Sequence, residues 1–399
     1  MRFFRTSKII SAVCFYVLAS NLAIAGISWN TDLIYDTNTN TSLLASCLTK
    51  EANSIFVITK VCPKGTLPKS GICVLWEIGT NGNLIQHFPL KNTDGNTIKT
   101  DSVAAGPGCA MAIDDLNDIL VVNALGGRNK NSPISVISPA TSKEPNILTG
   151  DTITDFFVKK LLSLPDNNFV LVGGQGDDGL CVKIDNHGEI RRKILFDIGQ
   201  QELFSDADLT TPDDSNLAIV GLSAKMSDKI SADKVENFMV TYDPNCKLLY
   251  KDIFAGGDFL LLPPRVCRLD DGNVIVLYIK KNKIDKSDFL ARCYSRKLEI
   301  LWEKIIYTPD KTPFYWCATS CKSSGFVIGT IPQMLKGAEF YFFDKNGMQI
   351  GNNRYKGMIS ASGFNLMHAK NGETIAVFEE GSAGTVKELT IKTKVLALD

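Results

Sequence analysis

Short apolar runs recur along the chain at a nearly constant interval. They begin, one per unit, at Ser54, Asp118, Phe169, Leu217, Val274, Phe326 and Thr374. Successive runs are 64, 51, 48, 57, 52 and 48 residues apart, so the period is about 53 residues. A fixed period in this range is typical of repeat proteins, in which each unit buries its apolar surface against the next. Seven such units account for nearly all of the chain that follows residue 25.

Each unit contains three further segments around this run. A shorter apolar segment precedes the run, a third segment follows a loop of variable length, and a fourth mixes charged with apolar residues. Tight turns of Asp, Asn and Gly lead into the fourth segment at Thr80–Asn83, Asp185–Gly188, Asp243–Cys246 and Asp344–Gly347. These residue types adopt the backbone conformations that short hairpins need. Four strands per unit, repeated seven times, predict an all-β fold, a seven-bladed β-propeller with four-stranded antiparallel blades.

The burial pattern and the chain ends bear on this prediction. The second segment of each unit is apolar at nearly every residue, as expected where both faces of a sheet are covered. A β-sandwich would not repeat seven times, and a parallel β-helix would have shorter coils.

Two closures of the propeller ring remain open. The last blade either takes its third and fourth strands from Glu388–Ile391 and Val395–Leu398, or is completed by Ile27–Tyr35 from the N-terminus.

The hairpin chemistry carries a resemblance to known proteins. Apolar strands that lead into Asp-x-Asn-Gly turns, such as Phe340–Phe343 followed by Asp344–Gly347, resemble those of the broad superfamily of bacterial secreted β-propellers. The resemblance covers the chain at the level of architecture. Because the motif is generic hairpin chemistry, it implies a propeller fold and no particular activity.

The N-terminus has the features of an export signal. Three basic residues within the first eight precede the apolar run Ile9–Leu18, and small residues follow at Ala23 and Ala25. This pattern predicts a signal peptide at residues 1–25, followed by a single propeller domain at residues 26–399. We expect the mature protein to be exported to the periplasm or the cell exterior, without insertion into the membrane after cleavage.

Charge and cysteine content narrow the candidate functions. The chain has 43 basic and 43 acidic residues, and cleavage of the signal would remove three basic ones, leaving 40. A near-neutral balance argues against a nucleic-acid-binding protein.

Ten of the eleven cysteines would remain after cleavage of the signal, which suggests disulfides in an exported chain. We predict that Cys62 and Cys73 form one, since they flank the loop Pro63–Ile72. Closing a loop of this size contributes about 3 kcal/mol.

Residues suited to catalysis or metal binding are few. The only histidines are His87, His187 and His368, and no Cys-x-x-Cys-His haem motif or zinc cluster is present. Asp177–Gly179 lacks the ligand spacing of an EF-hand and is interpreted as a turn. Five ionisable residues on inner strands are candidates for a site in the central funnel, namely Asp206, Asp208, Arg265, Arg268 and His368. The sequence therefore predicts no catalytic residue, metal or cofactor.

The leading hypothesis is a non-catalytic protein-interaction or scaffold subunit of an exported assembly. One specific form is a subunit of a multi-subunit redox complex whose haem or quinone lies on another chain. The long loops between second and third strands are the expected binding surface, and they cover Val61–Ile72, Leu125–Pro133, Ser223–Glu236, Lys280–Ser287 and Pro332–Ala338. The alternatives are a hydrolase or lyase with its site in the central funnel, and a small-ligand binder without chemistry.

Overall fold

The computed structural model consists of seven antiparallel sheets arranged around a central axis. Six sheets have four strands and one has five. The structure describes residues 27–36, 39–49, 53–64, 70–91, 96–97, 99–101, 110–114, 118–122, 131–138, 146–154, 156–210, 216–224, 235–255, 262–281, 287–321, 325–332, 337–369, 372–381 and 391–398. Residues 1–25, where the signal peptide is predicted, and most of the five long loops lie outside the described residues. The predicted seven-bladed β-propeller is confirmed.

The strands follow one another through the blades in chain order. Blade 1 contains β2 (Thr39–Leu48), β3 (Ser54–Pro63), β4 (Ser70–Gly79), β5 (Leu84–Pro89) and β6 (Lys99–Asp101). Blade 2 contains β7 (Ala110–Ile113), β8 (Ile119–Val122), β9 (Asn131–Ser138) and β10 (Asn146–Thr154). Blade 3 contains β11 (Phe156–Ser163), β12 (Phe169–Gln175), β13 (Asp178–Ile184) and β14 (Ile190–Phe196). In each of them the first strand lies innermost and the fourth outermost, and the short β6 pairs with β4 of blade 1.

Blades 4 to 6 repeat this order, and blade 7 combines the two ends of the chain. Blade 4 contains β15 (Gln201–Leu209), β16 (Leu217–Ala224), β17 (Val235–Tyr242) and β18 (Leu248–Ala255), and blade 5 contains β19 (Arg265–Arg268), β20 (Val274–Lys281), β21 (Ser287–Tyr294) and β22 (Ile300–Tyr307). Blade 6 contains β23 (Tyr315–Cys321), β24 (Gly325–Ile331), β25 (Ala338–Phe343) and β26 (Gln349–Tyr355). Blade 7 contains β27 (Met358–His368), β28 (Thr374–Gly381), β29 (Ile391–Leu398) and β1 (Ile27–Leu33). Among the described residues no helix is long and apolar enough to cross a membrane.

Burial along the strands matches their place in the blade. Every residue of β16 and of β24 is buried, because both faces of these second strands pack against neighbouring blades. The fourth strand β22 contains no fully buried residue, since its outer edge faces solvent. Seven hydrophobic clusters each fill the space between two adjacent blades, so the core is a ring of seven interfaces.

The predicted turns before the fourth strands have the expected geometry. In blade 3 the Asp185 carboxylate accepts hydrogen bonds from the backbone N–H groups of His187 and Glu189, each at 2.9 Å. Gly188 has a φ of +82°, a conformation that L side chains rarely adopt. Cys246 occupies the corresponding position in blade 4 with a φ of +61°. These turns fix the register of the outer hairpins locally.

Blade 7 closes the ring with strands from both ends of the chain. β29 is one continuous third strand, and β1 pairs with it antiparallel from Ile27 opposite Leu398 to Leu33 opposite Thr393. Of the two closures left open by the sequence, the N-terminal one is therefore observed. Lys392 reinforces the pairing through a 2.6 Å contact between its Nζ and the Asp32 carboxylate. The first and last described strands thus share one sheet.

Candidate functional site

The inner strands of all seven blades surround a central channel. β2, β7, β11, β15, β19, β23 and β27 each contact the next inner strand, and β27 contacts β2. The channel encloses about 730 Å³. Its walls are largely apolar, and residues from every blade contribute, including Leu44, Met111, Leu161, Leu262, Trp316 and Leu366. A concave, mainly apolar cavity of this size is the usual form of a small-molecule site.

Arg265 is the principal charged residue in the channel wall. Its guanidinium donates hydrogen bonds at 3.3 Å to the backbone carbonyls of Ser205 in blade 4 and Trp316 in blade 6. It also lies about 6 Å from the ring centres of Tyr315 and Trp316. Because it bonds carbonyl groups on the free edges of inner strands, Arg265 links three consecutive blades across the channel.

Asp206 and Asp208 bind the inner strand of the next blade. Asp206 Oδ2 accepts a 3.2 Å hydrogen bond from the N–H of Val266, and Asp208 Oδ2 accepts one of 2.9 Å from the N–H of Arg268. These N–H groups lie on the free edge of β19, where no strand follows to pair with them. The two carboxylates therefore connect blades 4 and 5. Asp206 lines the channel, and each of its two carboxylate oxygens accepts a backbone hydrogen bond.

Arg268 on β19 does not line the channel, and neither does the remaining candidate, His368, at the end of β27. Its Nδ1 is buried and has no hydrogen-bond partner among the described residues. Burial lowers the pKa of this imidazole, and the charge of Asp270 opposes that effect only in part, so the neutral ring is favoured. The structure does not unite His368 with Asp206, Asp208 and Arg265 in one constellation.

Two lysines of the channel were not recognised from the sequence. Lys159 and Lys160 lie on β11 and line the channel near Arg265 and Asp206. Burial, followed by the charge of Arg265, lowers the pKa of Lys159. The sequence contains a signal for them, because Val158–Leu164 is the apolar segment that precedes the run at Phe169 and is therefore an expected inner strand. Which of its residues face the axis depends on the register. Three cations and one carboxylate give this part of the wall a positive balance.

The channel thiols are poor nucleophiles. Cys47 and Cys317 line the channel, and burial raises the pKa of both well above the ordinary value for a thiol. The thiolate, which is the reactive form, is therefore strongly disfavoured. The Ser205 hydroxyl donates to the carbonyl of Pro264 at 2.8 Å and faces no base among its hydrogen-bond partners. Within the described part of the wall, these groups offer no activated nucleophile for a hydrolase.

The cysteines of the predicted disulfide are free thiols in the structure. The ladder between β3 and β4 pairs Lys60 with Cys73 and Val61 with Ile72. Cys62 therefore lies two residues beyond the position opposite Cys73, as its diagonal neighbour on the same face. Diagonal neighbours are about 7–8 Å apart, farther than the Cα separation of most disulfides. The Cys62–Cys73 bond stays a prediction, and forming it requires a local shift of the ladder.

Comparison with known proteins leaves the chain without an assigned family. No family model matches it, and no curated protein sequence matches it. Similar solved structures include a luciferin-regenerating enzyme (10% identity, 74% of this chain and 92% of the other, TM-score 0.45). A second is BBS1N in complex with ARL6DN, with 10% identity over 94% of this chain and 97% of the other and a TM-score of 0.48. A third is Drosophila Plexin A in complex with Semaphorin 1b, with 8% identity over 94% of this chain and 87% of the other and a TM-score of 0.49. Similarities this weak carry no argument about function, and the propeller assignment rests on the strand order.

Proposed function

We propose that this chain is a non-catalytic protein-interaction module, a scaffold subunit of an exported assembly that binds its partner through the outer rim of the propeller. The supporting observation is the distribution of exposed apolar side chains. Fifteen large hydrophobic residues are exposed among the described residues. Eleven of them lie on the fourth strands, namely Leu84, Ile85, Leu148, Leu195, Leu248, Leu249, Ile253, Ile300, Leu301, Ile305 and Ile350.

The rim of blades 4 and 5 concentrates these residues. β18 carries Leu248, Leu249 and Ile253, and β22 carries Ile300, Leu301 and Ile305, each between 39% and 56% exposed. We call these six residues the rim patch. Large apolar side chains exposed on the outer strands of two adjacent blades are typical of interaction surfaces, and the free edges of these strands offer backbone groups to a partner strand.

Blades 4 and 5, which carry the rim patch, are joined by a partly buried polar network. Arg292 on β21 donates to the Asp252 carboxylate on β18 at 2.7 Å, and the Tyr294 hydroxyl donates to the same carboxylate at 2.7 Å. The Arg292 guanidinium also lies 4.6 Å from the ring centre of Phe254. These contacts cross the blade boundary, so the two rim strands are presented as one rigid surface. Rigidity reduces the entropy lost when a partner binds.

The test compares rim and non-rim substitutions in the cells that export this protein. A tagged chain with Leu249→Glu and Leu301→Glu should lose its co-purifying partners, because two charges would be buried in the interface. Phe157→Glu is the matched control, since Phe157 is 65% exposed but lies on an inner strand. Equal recovery of partners by both variants, at equal folded yield, would contradict the proposal.

The channel supports a second candidate, a small-ligand binder without chemistry. Apolar walls and three cations at Lys159, Lys160 and Arg265 suit a ligand with an apolar body and an anionic group. Native mass spectrometry of the purified chain would detect such a ligand. Lys159→Ala should weaken its retention, whereas the rim variant should leave it unchanged. The hydrolase or lyase alternative has weaker support, because the carboxylates Asp206 and Asp208 are engaged by backbone groups.

A further inference from the structure

Three carboxylates from separate segments converge where blade 3 meets blade 4. Asp178 begins β13, Asp197 follows β14, and Glu202 lies near the start of β15. One oxygen atom from each of the three lies within 4.8 Å of the other two. The hairpin turn before β13 and the connection into β15 bring them together on the face of the disc that carries the loops between second and third strands.

Backbone and side-chain bonds hold this arrangement in place. The N–H of Glu202 donates to the carbonyl of Asp177 at 2.7 Å, which ties the start of β15 to the β12–β13 turn. The Gln201 amide donates to the Asp177 carboxylate at 2.5 Å. β15 is further fixed by its pairing with β16, where Glu202 lies opposite Ser223. The carboxylates are therefore positioned by the fold, and not by flexible side chains alone.

Glu202 points to a ligand independently of the clustering. The residue is only 3% exposed. Its Oε1 accepts from the N–H of Gln200 at 3.1 Å. The Ser223 hydroxyl lies 3.4 Å from the same oxygen, but it is closer, at 3.0 Å, to the Gln200 amide oxygen. Oε2 of Glu202 is buried and has no hydrogen-bond donor among the described residues. Burying a carboxylate oxygen without a partner is costly.

No cation of the described chain compensates this negative charge. Neither Glu202 nor its two neighbours forms an ion pair with a described lysine or arginine, whereas Asp185 and Asp166 in the same blade each have one. Burial, with the charges of Asp197 and Asp178 in addition, raises the pKa of Glu202, although the nearby backbone N–H groups of Gln200 and Ile198 oppose the rise. A bound divalent cation would offset two of the three negative charges, and a proton on Glu202 is the competing explanation.

We propose that Asp178, Asp197 and Glu202 form a Ca²⁺ site that clamps blade 3 to blade 4. All three ligands are hard oxygen donors, which exclude metals that prefer sulfur or imidazole. Ca²⁺ accepts six to eight oxygens in irregular geometry, so carbonyl groups and water complete its shell. Mg²⁺ demands a near-ideal octahedron and suits donors from two turns and a strand less well. The site lies apart from the rim patch and the channel.

The experiment measures Ca²⁺ binding by the full chain after treatment with EDTA. Isothermal titration with CaCl₂ should give one site with a Kd of about 10⁻⁵–10⁻³ M, from the weakest sensor sites to the extracellular modules. Addition of roughly 10 mM Ca²⁺ should raise the thermal midpoint because the ion binds only the folded state. MgCl₂ at the same concentration should have a smaller effect.

Isosteric variants separate the cation site from a purely structural carboxylate. Glu202→Gln retains the oxygen that accepts from Gln200, so it should fold, and it should weaken Ca²⁺ binding by roughly tenfold or more. Asp178→Asn should behave similarly. Asp166→Asn is the matched control, since it removes a carboxylate from the opposite face of the same blade, and it should bind Ca²⁺ like the wild type.

Two outcomes would overturn the proposal. One is that the wild type shows neither binding heat nor a shift of its thermal midpoint when Ca²⁺ is added. If Glu202→Gln is then as stable as the wild type, the result would identify a protonated Glu202. The other is equal Ca²⁺ affinity of the wild type, Glu202→Gln and Asp178→Asn. Neither result would bear on the rim patch, which is tested by partner recovery.

Discussion

Replacement of Asp206 by alanine should destabilise the fold, because this carboxylate connects two blades. The sequence made Asp206 and Asp208 candidates for a site in the central funnel, whereas their contacts with the backbone of blade 5 give them a structural role. In Asp206→Ala the N–H of Val266 loses its acceptor on the free edge of β19. A hydrogen bond to a charged acceptor contributes about 1.5–3 kcal/mol.

The same substitution removes a negative charge from the neighbourhood of Arg265. Breaking a fully buried ion pair costs about 3–5 kcal/mol, and Arg265 is only partly buried, so its contribution is smaller. We therefore expect the free energy of unfolding to fall by about 2–4 kcal/mol in total. Asp206→Asn keeps an oxygen acceptor for Val266 and loses only the charge, so its effect should be about half as large.

Urea unfolding measures this loss as a lower midpoint with an unchanged slope. Hydrogen exchange should also show faster exchange at the amide of Val266. Lys160→Ala is the control, because its Nζ lies 3.8 Å from the Asp206 carboxylate and its side chain is 38% exposed. Such a pair contributes less than about 1 kcal/mol. A loss below about 1 kcal/mol in Asp206→Ala, or an equal loss in Lys160→Ala, would refute the inter-blade role.

Three further predictions concern closure, acid stability and the cysteines. Deletion of residues 27–33 should lower the unfolding midpoint and accelerate hydrogen exchange at residues 391–398, since β29 loses its outer partner. Burial by itself would raise the pKa of Asp185. Hydrogen bonds from Glu189, Arg191 and His187 lower this pKa by a larger amount, so the net pKa lies below the ordinary value of 3.8. The ionised Asp185 carboxylate therefore stabilises the fold at pH values above 3.8, and this stabilisation is lost as the pH falls through the lowered pKa. Asp185→Asn should consequently make the thermal midpoint less dependent on pH below 3.8. Peptide mapping of exported material without reduction should recover Cys62 joined to Cys73, and two free thiols there would disprove that bond.

The repeat, the number of blades and the turns could be predicted from the sequence because they depend on local properties. A second strand such as Leu217–Ala224 is apolar throughout because both of its faces are covered. A turn such as Asp185–Gly188 is specified by residues that stabilise its geometry within five positions of one another. Each of these signals is complete within a short window of the chain, so it can be recognised without knowing what packs against it.

The closure of the ring and the contacts of the candidate site residues were decided only by the tertiary structure. β1 and β29 are far apart in the chain, and the sequence left open whether blade 7 is completed by C-terminal residues alone or by the N-terminal segment Ile27–Tyr35. Asp178 was interpreted as a turn residue, since nothing near it in the sequence indicates Asp197 or Glu202 as neighbours. Asp206 had the pattern of a channel residue, yet its partner is the backbone of Val266 in the next blade. These contacts join segments whose relative position is set by blade packing, and a periodic pattern contains no information about which side chains meet across a blade boundary.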